Sequence, residues 1–128
     1  MPILFQLSES SDLLVTRFKG KITNTELVES YKAFYSKNEK LAGIPELAEI
    51  ADADFSALTS EGIRMLAQWE SALHVQHGLK EKKTALFVSK SSLNTSVAVI
   101  YEVFSTDSPE TVKIFEDKGA ALQWLTGE

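Results

Sequence analysis

The side chains in this chain that could do chemistry fall into three small groups. Asp52 and Asp54, with Glu49 just upstream, follow a short apolar run. Paired carboxylates serve acid–base catalysis or bind Mg²⁺. Aspartates also close strands by bonding their own backbone in turns, and an Asp-x-Asp spacing by itself discriminates poorly. His74 and His77 are the only histidines, three positions apart, with Glu70 one turn before His74. Two histidines do not make a zinc site, and no cysteine is present to complete one. A histidine near a helix end also suits the macrodipole. Thr59-Ser60-Glu61 offers hydroxyls and an acid at a helix start, where such residues cap free N–H groups. The chain lacks a G-x-S-x-G elbow, a G-x-G-x-x-G loop and a P-loop. With no cysteine, disulfides, thiolate metal sites and a thiol nucleophile are excluded. These residues predict no metal, no cofactor and no catalytic constellation.

Composition narrows the class further. The chain has 128 residues, 13 Lys plus Arg against 18 Asp plus Glu, and a formal charge of −5. This length predicts a single domain over residues 1–128. The acidic balance argues against nucleic acid as a partner. No segment is apolar for long enough to predict a membrane span or a signal peptide, so the expected location is cytoplasmic.

The elements that position these groups follow from periodicity. Ile3–Leu7 and Leu13–Phe18 alternate and are joined by the polar turn Ser8–Asp12, which predicts an antiparallel hairpin. Thr23 with Glu26 forms a capping box ahead of a helix carrying Leu27, Val28, Tyr31, Phe34 and Tyr35. Leu47–Ala51 predicts a third strand, 52–57 a loop, and Thr59 to about His77 a helix with Ile63, Leu66, Trp69 and Leu73 inside. Residues 80–83 are expected to be a solvated charge run before the apolar strand Thr84–Val88. Ser91–Thr95 leads into a helix with Val97, Ile100, Tyr101 and Phe104, which Ser108-Pro109 breaks. Strand Thr111–Phe115 and a helix capped by Asp117 close the chain. The order ββαβαβαβα predicts an α/β fold: five strands, mostly parallel, with an N-terminal antiparallel hairpin and four helices.

That order, with three local runs, resembles the SpoIIAA-like proteins of the anti-sigma-factor-antagonist (STAS) and Sec14 fold group. The runs are Leu13–Thr23 with its "apolar strand, Gly, x, apolar, Thr" pattern, the strand Thr84–Val88, and Val112–Asp117 followed by Ala120–Leu125. The resemblance implies a bacterial module that binds a protein partner or a small apolar or anionic ligand, and not an enzyme. In antagonists of this group an "Asp-Ser-x-Gly-Leu" run opens the second helix, and its serine is phosphorylated. Ser60 and Gly62 match it, while Thr59 stands in place of the aspartate. A "Tyr-Gly-x-x-Arg-Met" run found in related sequences is absent from 94–101, so an anion-binding arginine is not expected there. By the same resemblance, Tyr31, Phe34, Trp69, Tyr101 and Phe104, spread over three helices, are candidates for an apolar pocket, with plain core packing the competing reading.

Three functional readings therefore enter the structure. In the first, the chain is a regulatory or ligand-binding module acting through protein contacts at Asp52, Asp54, Phe55, Thr59 and Ser60, with Ser60 a possible phosphorylation site. In the second it carries a small apolar or lipid-like ligand between its helices. A carboxylate-dependent enzyme built on Asp52 and Asp54 is a third. Apolar residues on a sheet face not covered by helices further predict a homodimer.

Overall fold

The computed structural model describes residues 2–10, 12–79, 81–88 and 92–127. Lys80 of the charge run and Ser91 at the third helix start lie outside them. Strands β1 (Ile3–Leu7) and β2 (Leu14–Phe18) form the antiparallel hairpin, with Ile3 opposite Phe18 and Leu7 opposite Leu14. Three parallel strands follow: β4 (Glu46–Glu49), β6 (Lys82–Phe87) and β7 (Glu110–Phe115), giving the order β1-β2-β4-β6-β7. Two short strands were not evident in the sequence. β3 (Gly20–Lys21) and β5 (Ala53–Asp54) pair in parallel as a separate two-stranded sheet. Gly20, at φ +73°, takes the left-handed turn that carries the chain out of β2, a conformation that costs glycine nothing.

The helices are α1 (Asn24–Lys37), α2 (Ser60–Gln76), α3 (Ser92–Phe104) and α4 (Lys118–Thr126). The capping box is present: Thr23 Oγ1 accepts from the Glu26 N–H at 3.1 Å, and Glu26 Oε1 accepts from the Thr23 N–H at 3.0 Å. α1 stops at Lys37, and the residues to Leu41, expected in the helix, tighten into a 3₁₀ turn. At α4, Asp117 caps the Gly119 N–H at 3.0 Å and Gly127 closes the helix in the left-handed conformation.

Strand alternation divides the sheet into two faces. Ile3, Leu14, Phe18, Ala48, Leu86 and Val112 pack with residues of α1, α2 and α3. Leu47 and Ala85, on the opposite face, are fully buried beneath Ala121 and Leu125 of α4, flanked by Phe87, Phe115 and Trp124. Lys83 and Lys113 ammonium groups lie over the Trp124 ring at 5.5 and 5.3 Å, so their aliphatic stems cover apolar surface. Past α4, the outer side of the hairpin is open: Leu4 is 59% exposed, and Arg17 reaches Glu49 at 3.0 Å in a half-open ion pair. The expected solvated charge run is corrected. Lys82 is 1% exposed, because the alternation of β6 turns it, with Thr84 and Leu86, toward the helices.

Candidate functional site

The helix-facing side of the sheet carries charge where an α/β core is normally apolar. Glu46, Lys82 and Glu110 are the first residues of three neighbouring parallel strands, and all three are buried. The register sets Glu46 beside Thr84 and Lys82 beside Glu110. Strand threonines and helix tyrosines supply the covering hydroxyls. Glu46 Oε2 accepts from Thr16 Oγ1 at 2.8 Å and from Tyr31 Oη at 2.7 Å. Lys82 Nζ stands 3.5 Å from Glu46 Oε1 and donates to Tyr35 Oη at 2.9 Å. Glu110 accepts from Thr84 Oγ1 and, at 2.8 Å, from Tyr101 Oη. Glu70 on α2 adds a third carboxyl and is 2% exposed.

Three carboxyls around one ammonium cannot all stay ionised cheaply when buried, where each uncompensated charge costs several kcal/mol. Burial drives Glu70 well above the ordinary carboxyl range, and the Glu110 charge pushes it further, against the pull of Lys82. Glu110 is raised by burial too, with Lys82, Thr84 and Tyr101 opposing. Burial works against the Lys82 ammonium, but Tyr35 and the surrounding carboxylates outweigh it and hold the lysine charged. The Tyr31 and Tyr101 phenols are raised by burial and by the Glu46 and Glu110 charges respectively, so both remain donors. His74, buried on α2, is pushed down to about 4 by burial, then by Lys82 and His77, and is a neutral imidazole at neutral pH.

Above this cluster lies a cavity of ≈ 50 Å³. One water needs roughly 10–15 Å³ on the same measure, so there is room for a few waters or a small organic group. Glu46, Glu70, Thr84, Tyr31 and Tyr101 form its polar end. Ala48 and Leu86 of the sheet, Leu66 of α2, and Val97 and Ala98 of α3 make the apolar wall. Phe55 and Leu58 close it from the loop between β5 and α2. Among the described residues, the Glu70 Oε2 atom has no hydrogen-bond partner; neither do the two ring nitrogens of His74.

The loop that carries the predicted contact residues is thus a wall of the cavity. Two asparagines hold it. Asn24, at the start of α1, donates to Thr59 Oγ1 at 2.9 Å and accepts from the Thr59 N–H at 3.1 Å. A Cβ at Gly62 would collide with the Asn24 side chain, so glycine is what lets the two helix starts meet. Asn94 of α3 is buried and donates to the carbonyls of Ile50 at 2.8 Å, Ala53 at 3.2 Å and Ala51 at 3.4 Å. Of the residues singled out by sequence, Phe55 reaches the cavity, and Thr59 clamps the loop. Asp52 and Asp54 are exposed. Asp54 Oδ1 accepts from the Ser56 N–H at 2.9 Å, and Ser56 holds its carboxyl below the usual range: the pattern of a turn-forming aspartate. Ser60 is exposed on the first turn of α2.

The five aromatic candidates separate. Tyr31 and Tyr101 line the cavity. Phe34 stacks on Phe5 with ring centroids 4.3 Å apart, outside it. Trp69 lies in the α1–α2 groove, 6.3 Å from the Tyr35 ring, and Phe104 is 39% exposed in a surface depression beside Asp107 and Ser108. The residues missed were Glu46, Lys82 and Glu110, while Glu70 was noticed only as a neighbour of the histidines. Glu70 carried a readable signal: it follows Ile63 and Leu66 on the inner stripe and precedes Leu73 and His74. Glu46 and Glu110 stand just ahead of where apolar alternation begins, so they passed for loop residues.

No family model matches the chain, and no curated protein does. Among solved structures the chain is similar to an uncharacterized protein of the DUF3478 family with a SpoIIAA-like fold, from Shewanella loihica PV-4. The match has 26% sequence identity and a TM-score of 0.56, and covers 96% of this chain and 91% of that one. The fold of this chain is SpoIIAA-like, a mixed five-stranded sheet with four helices.

Proposed function

We propose that this SpoIIAA-like chain is a non-enzymatic ligand-binding module. A small amphipathic molecule occupies the cavity between the sheet and α1–α3, and the loop from Ile50 to Thr59 reports its presence to a protein partner. The observation that carries this reading is the placement of Phe55 and Leu58 in the cavity wall, on the loop that Asn24 and Asn94 pin at both ends. A molecule in the cavity touches that loop directly, and the outer side of the loop displays Asp52 and Asp54 to solvent, with Ser60 exposed just beyond it at the start of α2. Concave sites with an apolar wall and a few convergent polar groups are the usual form of small-molecule sites.

Protein contacts are the output of the same device. Asp52 and Asp54 are surface groups in this scheme and not an acid–base pair, since Ser56 already engages Asp54. The test is native mass spectrometry of protein purified gently from its own cell. Wild type should carry a small adduct that Ala98→Met lacks, because methionine at this buried wall position fills the space. Circular dichroism establishes that the variant is folded. A bare wild-type chain, or an adduct retained by Ala98→Met, overturns the proposal.

A further inference from the structure

The inventory of hydrogen bonds at the cavity's polar end points to the chemistry of what enters it. The hydroxyl donors that line it, on Tyr31, Thr84 and Tyr101, are engaged. Thr16 and Tyr31 donate to Glu46, Thr84 and Tyr101 donate to Glu110, and the Lys82 ammonium faces Glu46 and Tyr35. Among the described residues, the cavity-lining polar atom without a partner is Glu70 Oε2, on a side chain 2% exposed. The formal charge of the buried set is three carboxyls against one ammonium. An incoming carboxylate or phosphate would meet lining hydroxyls that are already engaged, and three carboxyl groups against one ammonium. An incoming ammonium would find an acceptor without a partner and two further carboxylates nearby. A buried acceptor left unpaired costs about 1–3 kcal/mol, which a donor on the ligand restores.

We infer that the cavity selects a short apolar amine, whose ammonium group bonds Glu70 Oε2 while its hydrocarbon part lies against Ala48, Leu66, Leu86 and Ala98. This rests on the cavity reading above and names the ligand class for the same site. Binding then carries a proton signature. Glu70 faces Glu46 from β4, Lys82 from β6, Glu110 from β7, Tyr31 from α1 and Tyr101 from α3, with His74 one turn further along its own helix, and burial raises its pKa and favours the protonated carboxyl in the free protein. A charged amine that pairs with Glu70 releases that proton. Affinity therefore rises with pH, by up to about tenfold per unit, for as long as the free carboxyl stays protonated.

The experiment is an NMR titration of the full chain with n-butylamine, 1-butanol and butyrate at pH 6, 7 and 8, read at the amides of Leu66, Val97 and Ala98. The expected result is that butylamine binds at least tenfold tighter than either isostere at pH 8, and tighter at pH 8 than at pH 6. Glu70→Gln, which keeps the shape and removes the charge, should bring butylamine down to the affinity of butanol. Proton release on binding, measured with wild type in two buffers of different ionisation enthalpy, gives the same answer if the variant does not fold. If butanol or butyrate binds as well as the amine, or Glu70→Gln binds it unchanged, the amine assignment falls and the cavity reading stands. If none of the probes shifts these amides, both fall.

Discussion

Lys82 shows how much one buried side chain can decide. Its ammonium is buried, and its partners are Glu46 and the Tyr35 hydroxyl. Removing one member of a buried pair strands the other, at a cost of roughly 3–5 kcal/mol, whereas removing both is often close to neutral. Lys82→Met should therefore lose about that much stability in urea unfolding, and adding Glu46→Gln should recover part of it. A Lys82→Met chain as stable as wild type would show that the pair contributes nothing. His74 gives a pH prediction with a definite sign. Its folded pKa of about 4 lies below the ordinary 6.5, so the folded state binds fewer protons than the unfolded chain between these values. The stability linked to His74 is present above pH 6.5 and lost as pH falls toward 4. Glu70 acts in the opposite direction: its pKa is raised, so its contribution is full below the ordinary carboxyl pKa and is lost as pH rises through the folded value. In stability measured against pH, His74→Gln should flatten the acid limb and Glu70→Gln the rising-pH limb. None of these residues declared its role in the sequence, because a buried lysine or glutamate is spelled like a solvated one. Only the phase of its strand or helix stripe separates them.

At the scale of elements, the segment from Ile50 to Thr59 couples the hairpin side of the molecule to α2 and α3. Its start is paired with Gly20–Lys21, and asparagines on two different helices bond its backbone. Asn94→Ala removes the donor to three carbonyls and should cost about 1–3 kcal/mol. Amide exchange should speed up over 50–59 and stay slow in β6, since local opening follows local bonding. Uniform acceleration throughout the chain would mean that the asparagine serves the whole fold rather than the loop. The local chemistry of the helix starts was legible: Thr23 with Glu26 and Asp117 with Gly119 are adjacent in sequence and need no partner from elsewhere. The β3–β5 pair was not, since two residues 33 positions from their partners carry no period. The pinning of Thr59 by Asn24 across 35 residues was hidden for the same reason.

For the molecule as a whole, the order of strands and helices followed from alternation and helical spacing, and its SpoIIAA-like resemblance is matched by the solved structure from Shewanella loihica. What the order could not reveal is where a ligand would lie. An open α/β sheet directs attention to the carboxyl ends of its strands, which here are followed by Asp52 and Asp54. The buried polar cluster lies at the opposite ends, at the first residues of β4, β6 and β7, and the cavity runs from there to Phe55. The most direct test of the cavity as the seat of function is to record intermolecular NOEs between the methyl group of n-butylamine and the full chain. Contacts to the methyls of Leu66, Leu86 and Ala98 are the predicted result. Contacts confined to surface side chains such as Val75 and Val103, with none inside, would contradict it.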